Sequence, residues 1–72
     1  MATKYVILRQ GNDTESWFEL GTAEAGNDLS AVREFLGKGE NAQLHGAGKY
    51  RAVPKRSWPD DPHDLKPQIS FR

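Results

Sequence analysis

Asn27-Asp28-Leu29-Ser30-Ala31-Val32-Arg33-Glu34-Phe35-Leu36-Gly37, NDLSAVREFLG, is where the apolar spacing of this chain changes from alternation to a helical repeat. Leu29, Val32, Phe35 and Leu36 recur at helical spacing, which predicts a helix over about Asp28–Leu36. Asn27 or Asp28 can cap its first turn by accepting from an orphan backbone N–H, and Gly37 suits a left-handed residue just past its last turn. A helix this short does not persist alone in water, so its apolar stripe must lie across something else.

That something is a sheet. Upstream, residues 4–10, KYVILRQ, put Val6 and Leu8 on one face of a strand and Tyr5, Ile7 and Arg9 on the other. Apolar groups on both faces predict an inner strand. Gly11-Asn12-Asp13-Thr14-Glu15 is turn chemistry, and residues 16–25 alternate again, with Phe18, Leu20 and Thr22 opposed to Trp17, Glu19 and Gly21. The two strands are expected to form an antiparallel hairpin. Downstream, glycines 37, 39, 46 and 48 bracket residues 40–45, which have the composition for one extra helical turn inside an otherwise long connection. Residues 49–54 alternate as a third strand that Pro54 ends or confines to an edge, because proline cannot donate to the ladder. Residues 59–67 form a proline-punctuated extended segment, and residues 68–72 carry a weak strand pattern with Ile69 and Phe71 on one face. The order is ββαβ, or ββαββ where the tail adds a fourth strand: one α+β domain spanning 1–72, with one helix on one face of a small antiparallel sheet of three to four strands. Tyr5, Ile7, Trp17 and Tyr50 are expected on the face the helix leaves open. That face must then be wet, covered by the proline-rich tail, or covered by a partner.

Composition bounds the function. A chain of 72 residues buries only roughly 60% of the surface its unfolded form exposes, so its core is thin and its stability a few kcal/mol. There is no cysteine, hence no disulfide framework, thiolate metal site or cysteine nucleophile. No apolar run approaches the ~20 residues of a membrane helix, and the first residues lack a signal-peptide pattern, so a cytoplasmic protein is expected. The sequon-like Asn12-Asp13-Thr14 is then an ordinary turn. Ten basic and ten acidic residues cancel, which argues against a general polyanion binder.

The segments KYVILRQ, WFELGTAEA, AVREFL and GKYRAVPKRSWP together resemble a group of short proteins of actinobacteria and their bacteriophages. The resemblance covers residues 4–59 and is most specific over 48–58, a Gly-x-Tyr-x-Ala-Val-Pro-x-Arg-Ser-Trp segment. The connection 37–48 and the insertion 60–67 depart from that group. The resemblance implies a small phage- or prophage-type protein of the bacterial cytoplasm and brings with it no activity, cofactor or site residue.

Four places could carry chemistry. Residues 49–59, KYRAVPKRSWP, hold Lys49, Arg51, Lys55 and Arg56 beside Tyr50 and Trp58. The cations could meet phosphates while an aromatic stacks on a base. Neutral overall charge and strand alternation favour the other reading, in which Tyr50, Ala52 and Val53 help fill the core, the cations are solvated, and Arg56 lies against Trp58 or Trp17 in a cation–π contact. The run Pro59-Asp60-Asp61-Pro62-His63-Asp64 has metal-ligand types, but its prolines hold it extended rather than inward-pointing, so no metal is expected. The glycines follow a helix and precede a strand, the reverse of a phosphate-cradling loop. Four serines, two histidines and ten carboxylates show no spacing that joins nucleophile, base and orienter, and so small a chain encloses no dry pocket easily. No catalytic residue and no cofactor is expected. The expectation is a non-enzymatic protein–protein interaction module whose partner is a host or phage protein or a second copy. Its anchors would be Trp17, Tyr50, Arg51, Arg56 and Trp58, since interface hot spots favour Trp, Tyr and Arg. A small nucleic-acid-binding regulator using the basic strand is the alternative.

Overall fold

A computed structural model describes residues 2–11, 13–58, 60 and 66–71. Strand β1 (Thr3–Gln10) and strand β2 (Trp17–Ala25) are followed by helix α1 (Asp28–Leu36), a single-turn helix α2 (Asn41–His45), strand β3 (Gly48–Pro54), a 3-10 turn (Lys55–Ser57) and strand β4 (Ile69–Phe71). The strands form one antiparallel sheet in the order β2-β1-β3-β4. This is the expected α+β arrangement in its longer form, ββαββ, with β1 an inner strand and β3 ending on Pro54.

The turn between β1 and β2 closes where its sequence predicted. Gly11 N–H donates to the Ser16 carbonyl at 3.0 Å, and Ser16 N–H donates to Thr14 Oγ1 at 3.1 Å. The β2 alternation, however, does not run through. Ile7 lies opposite Gly21 while Leu8 lies opposite Glu19, so Leu20 is the extra residue of a β-bulge. One inserted residue reverses the facing of everything beyond it. Leu20 and then Ala23 and Ala25 pack on one core cluster, whereas Thr22 leaves the face that simple alternation with Leu20 assigned it.

Helix α1 begins on Asn27, whose side chain accepts from Ser30 N–H at 2.8 Å. Its end differs from expectation. Gly37 donates to the Arg33 carbonyl at 2.9 Å but sits in right-handed backbone at φ −82°, and the left-handed step falls at Gly39, φ 54°. The chain therefore continues for a further turn before it reverses, and α2 is tied down in consequence. Asn41 Nδ2 donates to the Phe35 carbonyl at 2.7 Å, and the His45 ring lies 6.0 Å from that of Phe35.

The helix covers the face opposite to the one the sequence suggested. Ala31, Val32, Phe35 and Leu36 bury against Ile7, Ala23, Ala25, Tyr50 and Ala52, with Tyr5, Leu20, Ile69 and Phe71 partly buried around them. Tyr5, Ile7 and Tyr50 are thus under the helix rather than on its far side. The reverse face carries a second cluster of Val6, Leu8 and Val53, against which Trp17 and Trp58 pack. No described helix is long and apolar enough to cross a membrane.

Gly21 is what lets α1 come close. A Cβ there would lie 2.9 Å from Cε1 of Phe35, a ring that is itself buried. Gly26, by contrast, has nothing within 4 Å. Gly21→Val is expected to destabilise the domain by about 1–3 kcal/mol through overpacking, while Gly26→Val stays within about 0.5 kcal/mol. Urea unfolding of the two variants beside the parent protein checks this, and equal midpoints would refute it.

Candidate interaction surface

The five residues expected to form one contact surface are divided by the sheet. Tyr50 is wholly buried at 0% exposure on the helix side. Its hydroxyl donates to the Gly46 carbonyl, its ring meets Phe71 edge-on at 6.4 Å, and Arg9 lies 5.8 Å from its centroid. It is a core residue and leaves the candidate surface. Strand alternation is the reason: Tyr50 and Ala52 point to the helix, and Arg51 and Val53 to the reverse face.

Arg51 is also not a solvent-facing anchor. It is 7% exposed, and its guanidinium carbon lies 4.3 Å from the centroid of the Trp17 ring. Because β1 separates β3 from β2, that contact crosses the inner strand above Leu8, which pairs directly with Arg51. The cation–π partner of a tryptophan is therefore Arg51, where the sequence pointed to Arg56. With Tyr50 expected on the open face, alternation turns Arg51 toward the helix; the strand order and register put it instead on the reverse face, within reach of Trp17.

Trp58 follows the 3-10 turn, where its N–H donates to the Lys55 carbonyl at 3.1 Å, and folds back on the cluster of Val6, Leu8 and Val53. Those three residues are 0–1% exposed, so the centre of the reverse face is sealed rather than greasy and open. What solvent meets is a rim. Trp17 and Trp58 are each half-buried there, and Lys55 and Arg56 are exposed in the turn beside Trp58. Lys4, Glu19, Glu24 and Lys49 are exposed on the strands. Lys49 stands out in the sequence with the basic segment, but Lys4, Glu19 and Glu24 were missed as candidates because each is an ordinary surface charge until the register brings them to one sheet.

At the opposite end of the sheet, Arg9 Nη2 donates to the Ala47 carbonyl at 2.8 Å, and a Cβ on Gly48 would fall 2.8 Å from that nitrogen. The connection before β3 is thus pinned from both β1 and Tyr50. Among the described residues no group of three or more His, Asp or Glu is placed to hold a metal ion. Of residues 59–67 only Asp60, Lys66 and Pro67 are described, so the Pro59–Asp64 run otherwise lies outside the described residues. Compared with known proteins, the chain matches no family model, no curated protein and no solved structure.

A desolvated guanidinium on an indole is worth up to about 2 kcal/mol, against roughly 0.5–1 kcal/mol at an exposed site. A double-mutant cycle of Arg51→Met and Trp17→Leu, read by denaturant unfolding, is therefore expected to give a coupling of about 1–2 kcal/mol. Additive effects would mean that the two side chains adjoin without holding one another.

Proposed function

We propose that this protein is a small non-enzymatic interaction module, phage- or prophage-encoded and acting in the bacterial cytoplasm, that docks on another protein. The observation that carries the reading is the rim of the reverse face: two tryptophans half-buried on a sealed apolar floor, with Arg56 exposed in the turn beside Trp58. The two indoles are already packed on the cluster before a partner arrives, so engaging them costs little conformational entropy, and Trp and Arg are among the residues that most often anchor interfaces. The phage attribution rests on the resemblance of residues 4–59 alone, which is most specific over 48–58.

A nucleic-acid-binding regulator is the second reading, favoured by the exposed Lys49, Lys55 and Arg56 on and just after β3. It is the weaker one because the exposed Glu19 and Glu24 share the sheet, and Tyr50, which would have stacked on a base, is buried. Salt separates the two. A phosphate contact releases counterions and weakens steeply as salt rises, whereas an aromatic dock does not.

In a titration of labelled protein with duplex and single-stranded oligonucleotides at physiological salt, the amides of residues 49–58 are expected to stay in place. A protein partner captured from host lysate is expected to survive a wash of about 0.5 M salt, where exposed charge contacts are screened. It should be lost on Arg56→Glu without change in the unfolding midpoint. Oligonucleotide-induced shifts on residues 49–58, with capture abolished by salt, would overturn the protein-docking reading.

A further inference from the structure

The sheet has two edges, and they differ in kind. Strand β4 is three residues long, a length that offers an incoming chain almost no ladder. Strand β2 is nine residues long and, among the described strands, pairs with β1 alone, so none of the others takes the backbone donors and acceptors along its outer side. Natural edges of that length are blunted with lysine, proline or a covering segment. Trp17–Ala25, WFELGTAEA, contains neither lysine, arginine nor proline. Its one irregularity is the bulge at Leu20, which leaves Gly21–Ala25 as an uninterrupted run.

Charge says what fits beside it. From residue 11 to residue 32 the chain carries Asp13, Glu15, Glu19, Glu24 and Asp28 and no cation. Glu19 and Glu24 are both exposed on β2 itself; Lys4 of β1 lies opposite Glu24, whereas Leu8 lies opposite Glu19. A second copy of β2 would bring two further carboxylates to the same seam, and like charges across a ladder are destabilising. An extended chain with lysine or arginine at alternate positions would instead set cations against Glu19 and Glu24 while its backbone completes the open ladder.

We infer that the outer edge of β2 is a strand-addition site for an extended cationic peptide of a partner protein. This rests on the reading of the molecule as an interaction module but uses a different surface from the tryptophan rim. The ladder would supply the affinity and the two glutamates the choice of partner. Phe18, 52% exposed at the start of the strand, offers the incoming chain an apolar contact beside its first residues.

The test uses the full labelled chain and two capped synthetic peptides, one alternating lysine with valine and the other glutamate with valine. The lysine peptide is expected to shift β2 amides saturably and to slow hydrogen exchange at alternate positions within 21–25, while the glutamate peptide does neither. The double variant Glu19→Lys, Glu24→Lys should exchange these preferences, each reversal changing affinity by about threefold to tenfold. The milder Glu19→Gln, Glu24→Gln pair serves should the reversal disturb folding, and should weaken lysine-peptide binding alone. Equal binding of both peptides, shifts centred on residues 49–58, or concentration-dependent protection of β2 by self-association would each overturn the inference. Because Arg56 is untouched in these variants, failure here leaves the tryptophan-rim reading to be judged by its own experiment.

Discussion

The guanidinium of Arg51 lying on the indole of Trp17 closes the half of this molecule that its helix cannot reach. A sheet of four short strands has two faces, and nine helical residues cover one of them. The other must keep Val6, Leu8 and Val53 from water by side chains alone. Arginine suits that task better than lysine. Its planar cation stacks on an aromatic face and its stem covers apolar surface beneath, so one side chain can roof Leu8 while keeping its charge satisfied. Trp58, returned to the same cluster by the 3-10 turn, closes the cluster from the β3 side.

The two faces constrain each other through β1 and β3. Val6, Ile7 and Leu8 are all buried, as are Tyr50, Arg51, Ala52 and Val53, so neither inner strand has a face to yield to solvent. Such strands cannot slip by a single residue, since a slip would exchange the helix-side set for the tryptophan-side set. The bulge at Leu20 belongs to the same constraint. It brings Gly21 under Phe35 and lets the helix approach the edge strand, while leaving Trp17 on the reverse face to receive Arg51.

This explains which parts of the fold could be read from residues and which could not. The change of period at Asn27, the turn at Gly11 and the termination at Pro54 are local, and each follows from side-chain chemistry within a few positions. Facing is not local. With Tyr5 and Ile7 on one side of β1 and Val6 and Leu8 on the other, alternation is satisfied whichever side the helix takes. The choice is made by what β2 and β3 contribute at a distance: small Gly21, Ala23 and Ala25 admit a helix on one side, and two large indoles occupy the other. Arg51 was legible as a cation near aromatics but not as a buried one, because its partner is 34 positions away in the chain, across an intervening strand. Gly37 illustrates the same limit at short range. Its glycine suits a left-handed cap, yet the bond from Asn41 to the Phe35 carbonyl draws the chain onward, and the reversal moves to Gly39.

Once both faces are sealed, the capacity of the molecule to engage anything else moves outward, to rims and edges. At the rim the residual exposure of Trp17 and Trp58 is coupled to stability, because the same rings seal the second cluster. Any partner gripping them acts on side chains the fold itself depends on, and binding there would raise apparent stability by linkage. The β2 edge is different. The Glu19 and Glu24 carboxylates are exposed and belong to neither apolar cluster, and Glu24 lies across the ladder from Lys4, so recognition there draws on surface charge rather than on the core. A domain this small has few positions of that kind. The separation of an anionic edge on β2 from cations on and after β3 gives the sheet a direction across its width, which fixes the orientation in which a charged partner approaches before any apolar contact forms.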